Sequence, residues 1–258
     1  MSVKFFRPRE GTLSVKVSDS CFLNCKYCQG KFLSGMFPFS EELIIRSIKR
    51  YSSILVSGGF NEEGYLPIER HLGFLRRLKG KIELMVHPGL VPRRLARRMG
   101  EVFDYALFDL VGSDRVIKEV MNLDKEVDDY EKTLKYLSRE LEVIPHVMLG
   151  SYFGKSLGVE EALSMASDYS QKLVLLVLIP RKGTGMEGVS PPSPEEVGRY
   201  IRLAKDLGLR VSLGCMRPRI VEYEKKAIES GVDGIANPRI QCGELISKCC
   251  FHYQSERE

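Results

Sequence analysis

The chain has no apolar run long enough to cross a membrane. Its most apolar stretch, Leu173 to Ile179, falls far short of the roughly 20 residues a spanning helix needs. The first residues, Met1-Ser-Val-Lys-Phe-Phe-Arg-Pro-Arg, hold neither a long apolar segment nor a small-residue cleavage site. No signal peptide is expected, and the expected location is the cytoplasm. Basic runs interleaved with aromatics are also missing, so no nucleic-acid partner is expected. Arg93, Arg94, Arg97 and Arg98 fall at helical spacing and read as a solvated helix face. Asn and Gln are scarce, at four each, while 28% of residues are charged, a balance that leans towards a thermophilic source. No internal repeat, low-complexity segment or linker is visible.

What is present is enough for a sizeable core. The 258 residues are 43% hydrophobic, which suits one barrel or doubly wound domain, or two small ones. The net charge of +5 is a small cationic excess that would suit an acidic protein partner. Short β-rich runs alternate with amphipathic segments. Strands are expected at 13–17, 54–57, 82–87, 105–110, 144–149, 173–179, 210–213 and 234–236, with helical patterns between them. Ser193-Pro-Glu-Glu196 reads as a helix start, with Ser193 as cap and Glu196 closing a capping box. Eight strands alternating with helices is the count of an α/β fold of (β/α)8 TIM-barrel type, complete or nearly so. A barrel is preferred to a doubly wound sheet because special residues recur at successive strand ends: Ser57-Gly58-Gly59, His87, Asp109, Gly150, Pro180-Arg181 and Gly214-Cys215. The barrel is expected over residues 1–238, and residues 239–258 form a cysteine-bearing tail.

Seven cysteines in a cytoplasmic chain argue against disulfides, and their two clusters point to metal or redox chemistry. Cys21-Phe-Leu-Asn-Cys25-Lys-Tyr-Cys28 directly follows the first expected strand. A loop this tight can aim three thiolates at one centre. On a [4Fe–4S] cubane, three thiolates leave one iron open, and that iron can chelate the amino and carboxylate groups of S-adenosylmethionine (SAM). Zinc is the alternative for close cysteines, but zinc sites usually recruit a fourth ligand, and none lies nearby in sequence. Ferredoxin-type runs use shorter spacing and a fourth cysteine.

The tripartite spacing, the strand before it and the aromatic residue before the last cysteine resemble the radical SAM superfamily over nearly the whole chain. That resemblance implies a SAM-binding [4Fe–4S] cluster on Cys21, Cys25 and Cys28 and a 5′-deoxyadenosyl radical that abstracts hydrogen from substrate. It places Tyr27 along the adenine. It makes Ser57-Gly58-Gly59-Phe60 the motif that receives the methionyl amine, with Phe60 where the family has an acid. Asp109 would hydrogen-bond the ribose, or is an ordinary loop carboxylate. Met148 or Leu149 would touch the adenine, or pack the core, and Leu178-Ile179-Pro180 resembles another adenine-side segment. Arg181 would reach the methionine carboxylate, or lie on the surface.

Four more cysteines follow: Cys215 at the end of the seventh expected strand, and Cys242, Cys249 and Cys250 in the tail. If the barrel closes, the tail runs beside that strand and the thiols meet at one rim. A second iron–sulfur cluster is expected there, against zinc or free thiols. Pro180 to Glu196 and Ala227 to Pro238 resemble the biotin synthase-like branch. Biotin synthase itself carries auxiliary-cluster cysteines on mid-barrel strands, which are absent here. The bacterial-type lipoyl synthases carry a cysteine triplet before the radical SAM loop, also absent. A short barrel with extra C-terminal cysteines looks like the two-protein archaeal-type lipoyl synthases. Sulfur insertion into an octanoyl chain on a lipoyl-carrier protein is then expected, with a second radical SAM subunit as partner and ferredoxin or flavodoxin as reductant. Carbon-skeleton or methyl chemistry, of methylornithine-synthase or hydrogenase-maturation type, is the rival enzyme reading. A zinc-binding interaction protein is the rival outside enzymes.

Overall fold

The computed structural model describes residues 3–240 and 243–253. Among these, eleven strands form one sheet: β1 (Lys4–Phe6), β2 (Thr12–Lys16), β3 (Phe37–Pro38), β4 (Ser53–Ser57), β5 (Glu83–Val86), β6 (Tyr105–Asp109), β7 (Glu142–Leu149), β8 (Lys172–Val177), β9 (Arg210–Leu213), β10 (Gly234–Ala236) and β11 (Leu245–Ile246). The order is β11-β1-β10-β9-β8-β7-β6-β5-β4-β2-β3, and every pair is parallel. The α-helices are α1 (Pro8–Gly11), α2 (Glu41–Ser47), α3 (Leu72–Arg76), α4 (Arg93–Gly100), α5 (Val127–Ser138), α6 (Val159–Tyr169), α7 (Pro194–Asp206) and α8 (Val221–Glu229). No helix of the described residues is long and apolar enough to cross a membrane.

The eight expected strands are all present, as β2 and β4 to β10, and stand side by side in chain order. This is the parallel α/β barrel winding. Strands alternate their side chains between two faces. Val15, Ile54, Leu84, Phe108, Leu175 and Val211 face outwards and pack under the helices. Met85, Leu107, Ile144, Val174 and Leu176 face inwards, into the lumen. The start of α7 follows the expected cap in part. Ser193 Oγ accepts from the Glu196 amide at 3.2 Å. The Glu196 carboxylate does not close the box; it takes the Ser156 hydroxyl at 2.5 Å instead.

Two features were not expected from the sequence. One is β1, which pairs with β10 and occupies the edge where the tail would otherwise have lain. The other is the route of the tail. It crosses to the far side of β1 as β11, with Phe5 opposite Leu245 and Phe6 opposite Ile246. The Ser247 carbonyl then sits on Gly11, where a Cβ would lie 1.8 Å from its oxygen. Cys249 Sγ reaches Thr12 Oγ1 at 3.9 Å. Beyond that point the chain turns into the lumen. Phe251 is 1% exposed and packs on Tyr105 at 5.0 Å between ring centroids. His252 Nε2 meets Glu83 at 2.9 Å. The Tyr253 hydroxyl and the Cys250 carbonyl both reach Ser212 Oγ at 2.5 Å, and Arg210 lies over the Tyr253 ring at 4.1 Å. Glu83, Tyr105 and Arg210 are the first residues of their strands, so the tail plugs the N-terminal mouth of the barrel.

A buried ion pair fastens the chain leading to the tail. Arg217 and Glu224 are both 0% exposed and meet at 2.5 Å. Arg217 also donates to the carbonyls of Gly214 and Ala236, each at 2.7 Å. Glu224 accepts from the backbone amides of Arg239 and Ile240 at 2.7 and 3.0 Å. Removing one partner of such a pair strands a charge without solvent. Glu224→Ala is expected to cost about 3–5 kcal/mol, read as a lower urea midpoint at unchanged slope. The double variant Arg217→Met/Glu224→Leu recovers part of the loss. A cost below about 1 kcal/mol would show that water reaches the pair.

Candidate active site

The cysteine loop runs from the end of β2 and is shaped by its own backbone. The amides of Cys28 and Gln29 both donate to the Cys25 carbonyl, at 2.9 and 2.8 Å. Asn24, Gln29 and Gly30 take left-handed conformations, with φ of 45°, 46° and 74°. Asn122, from the segment after β6, donates through Nδ2 to the carbonyls of Leu23 and Asn24 at 3.0 and 3.2 Å. The Lys26 amide donates to the Val120 carbonyl at 2.9 Å. The loop is therefore held from two sides before any metal arrives.

The end of β4 packs directly on this loop. Gly58 has φ +149°, a region that favours glycine. A Cβ on Gly59 would lie 1.8 Å from the Ser20 carbonyl oxygen and 2.7 Å from the Cys21 Cα. The two glycines are thus demanded by backbone approach to the cysteine loop. Their place next to Cys21 also lets the Phe60 amide donate to Cys21 Sγ at 3.4 Å, while the Phe22 amide donates to the Phe60 carbonyl at 2.8 Å. Ser57 is buried just before them.

The thiols lie close enough to act on one another. Burial pushes Cys25 up to about 12, and the charges of Cys21 and Cys28 add to the rise. Burial raises Cys28 as well, while the Arg181 guanidinium is among the groups that pull it back. Arg181 stacks on the Phe32 ring at 4.1 Å, and its Nε is buried without a hydrogen-bond partner among the described residues. Tyr27 lies against Cys25, and burial raises its hydroxyl first of all, with the charges of Cys25 and Asp109 adding to the rise. These features fit an iron–sulfur cubane: three cysteines on a pre-shaped loop, an amide aimed at one sulfur, and thiolates disfavoured by burial until a metal takes their charge. No three His, Cys, Asp or Glu side chains among the described residues converge as one ion would need. A cubane asks less convergence, because each thiolate binds a different iron.

The lumen beneath the loop carries three polar side chains: His87, just after β5, Asp109, ending β6, and His146 on β7. Asp109 and His146 are register partners, and the two imidazoles are 5.8 Å apart between centroids. His87 and His146 are half-buried, and Asp109 is exposed at the end of its strand. The sequence marked His87 as a strand end and passed over the pairing with His146; the signal was a histidine one register step from Asp109. Met148 lies partly buried on the same inner wall.

The second cysteine set is split in height. Cys215 is exposed at the C-terminal rim, just past β9, with its carbonyl bonded by Arg219 at 3.0 Å. Cys249 and Cys250 are not at that rim but inside the barrel, carried there by the plug. Burial pushes Cys249 up to about 12, against the Thr12 hydrogen bond that pulls it back, and pushes Cys250 well up. Cys242 lies outside the described residues.

Two expectations follow from this geometry. Gly59→Ala should displace the cysteine loop, since its Cβ meets backbone and not a flexible side chain. Iron bound after anaerobic reconstitution should fall several-fold, while a Gly73→Ala control, where a Cβ meets nothing within 4 Å, should load normally. Burial also lowers His87 and His146 from 6.5 to about 4. Both are neutral in the fold, so their stability is complete above pH 6.5 and is lost as pH falls towards 4, by up to about 3 kcal/mol each. Burial raises the Asp109 carboxyl, which offsets part of that loss. Melting temperature against pH should show the decline, and His87→Asn/His146→Asn should flatten it.

No protein-family model matches the chain, and no curated protein matches it by sequence. Solved structures do match. Methylornithine synthase is 12% identical, with 99% of this chain and 77% of that one covered, at a TM-score of 0.66. The FeFe-hydrogenase maturase HydG of Carboxydothermus hydrogenoformans is 15% identical, with 96% and 64% covered, at 0.63. Coproporphyrinogen III oxidase (HemN) of Escherichia coli, a radical SAM enzyme, is 12% identical, with 78% and 54% covered, at 0.53. The chain thus spans less than two thirds of the latter two. At these identities the likeness is one of fold, and the fold is the parallel α/β barrel that these proteins share.

Proposed function

We propose that the chain is a radical SAM enzyme. The observation that carries the reading is the cysteine loop itself: Cys21, Cys25 and Cys28 on a pre-shaped turn at the C-terminal end of the first barrel strand, with Gly58 and Gly59 packed against it. When bound there, a site-differentiated [4Fe–4S] cluster with SAM supplies a 5′-deoxyadenosyl radical. The chain's own work is to bind and orient. Cys21, Cys25 and Cys28 hold three irons, and the Phe60 amide supports the Cys21 thiolate. The backbone at Ser57, Gly58 and Gly59 receives the methionyl amine, Tyr27 lies along the adenine and Met148 closes beside it. Asp109 serves the ribose side, and Arg181, with a free buried Nε, takes the carboxylate.

The finer reading is sulfur insertion at an unactivated C–H bond, on an octanoyl chain borne by a lipoyl-carrier protein. It is supported by Cys249 and Cys250 enclosed side by side in the barrel and Cys215 at the rim just past β9, a set that would suit a second iron–sulfur cluster with Cys242 as a further ligand. In this reading a second radical SAM subunit completes the reaction and ferredoxin or flavodoxin delivers electrons. The enclosure of Cys249 and Cys250 favours one rival, in which the second cluster only passes electrons and the chemistry is rearrangement of a carbon skeleton, as the likeness in fold to methylornithine synthase would suit.

Anaerobic reconstitution is expected to give about eight irons per chain, falling to about four in Cys249→Ser/Cys250→Ser. Cys21→Ala should abolish reductive SAM cleavage. Incubation with SAM, reductant and an octanoylated carrier protein, followed by mass spectrometry, should show added sulfur. Four irons in the wild type would remove the second cluster, and SAM cleavage by Cys21→Ala would remove the radical reading.

A further inference from the structure

Residues 72–100 hold eight lysines and arginines against one acid, Glu83, which faces His252. The whole chain carries only +5, so the remainder is slightly acidic. Four of the eight cations lie on α4. Leu95, Ala96 and Met99 bury one side of that helix in the outer core, and Arg93, Arg94, Arg97 and Arg98 are exposed on the other. The end of α3 extends the patch. Lys79 Nζ donates to the Gly100 carbonyl at 2.9 Å, and Arg76 meets Glu101 at 3.4 Å, both at the C-terminal end of α4. The acids nearby pair with Arg76 and Arg77, and among the described residues none of the four α4 arginines has an ion-pair partner.

This arrangement works against the helix that carries it. Arg93 and Arg97 stand one turn apart, as do Arg94 and Arg98, and like charges at that spacing repel. Arg93 and Arg94 also occupy the first turn, at the positive end of the helix dipole. Helices α2, α5, α6, α7 and α8 all carry acids in their first turn, and α4 carries none. Negative charge brought from outside would relieve both strains at once. The chemistry of the face narrows its source. The exposed large apolar side chains, such as Phe22, Phe153 and Ile220, all lie outside residues 72–100. A membrane-seated helix needs apolar groups to insert, and nucleic-acid strands are held largely by stacking on aromatics. A surface of carboxylates needs neither.

We propose that the outer face of α4, with Lys79 at its end, docks an acidic helix of a partner protein whose carboxylates recur one turn apart and so meet the two arginine pairs. The face lies outside the barrel, and the proposal does not rest on the radical SAM reading.

The test is fluorescence anisotropy on the anaerobically reconstituted protein with two labelled alanine-rich peptides of about 20 residues, long enough to hold a helix. Both contain the same number of glutamates. One sets them at i, i+4 along a single face, and the other spreads them around the helix. The striped peptide should bind about fivefold more tightly, with an affinity that falls as salt rises. Arg93→Glu/Arg94→Glu should weaken its binding about tenfold. The same variant should melt no lower than the wild type, because each new glutamate faces an arginine one turn on and the positive end of the dipole. Lys132→Glu/Lys135→Glu makes the same charge change on α5 and should alter binding less than about twofold. Equal affinity for the two peptides, binding of neither, or an equal loss in the α5 variant overturns the proposal. So does tighter binding of a thymidine oligonucleotide of the same length, because the face would then serve nucleic acid.

Discussion

The lumen of the barrel has to be filled. Parallel strands wound in order enclose a space, and barrels of this type usually fill it with bulky branched side chains from their own strands. Here only part of the wall does so. Met85, Leu107, Ile144, Val174 and Leu176 are large, but the inner positions of β2, β4, β9 and β10 carry, beside Leu55, Lys16 and Arg210, the small Thr12, Ser14, Ser53, Ser57, Ser212, Gly234 and Ala236. That side is hollow by sequence. The tail supplies the missing volume: the Cys250 carbonyl sits 3.1 Å from where a Gly234 Cβ would be, and Phe251 and Tyr253 complete the packing.

This division leaves room for polar side chains towards the C-terminal ends of β5 to β7. Because the plug seals the N-terminal mouth with apolar rings, the strands need not fill the upper half. Their inward positions there can be His87, Asp109 and His146. Burying three such groups without full satisfaction is unfavourable, and the fold tolerates it only because packing elsewhere is complete. The outer core under the helices is continuous from β2 to β10. Polar groups that weaken the lumen therefore lie where function is served.

Most of the frame was legible because it rests on local patterns. Runs such as Leu13–Val17 and Leu173–Ile179 carry β-branched and aliphatic residues at strand length, and the helices between them repeat at 3.6. The cysteine loop was legible because spacing within eight residues constrains geometry. β1 was not, since Lys4-Phe5-Phe6 is too short to show a period. The tail was misplaced for the same reason: with β1 unrecognised, the edge of β10 looked free. Gly58 and Gly59 were read as a ligand cradle; that their missing side chains are also needed by the backbone of Ser18 to Cys21 was not legible. A glycine's partner is set by tertiary approach, which sequence spacing does not record.

The plug also ties the two cysteine sets into one mechanical unit. Arg217 and Glu224 join the ends of β9 and β10 to the amides of Arg239 and Ile240, just before Cys242. From there the chain descends past β1 and re-enters the lumen, bringing Cys249 and Cys250 within electrostatic reach of Cys215. Filling the lumen from the tail places two enclosed thiols, Cys249 and Cys250, inside the barrel. A barrel filled by its own strands would have no such thiols there.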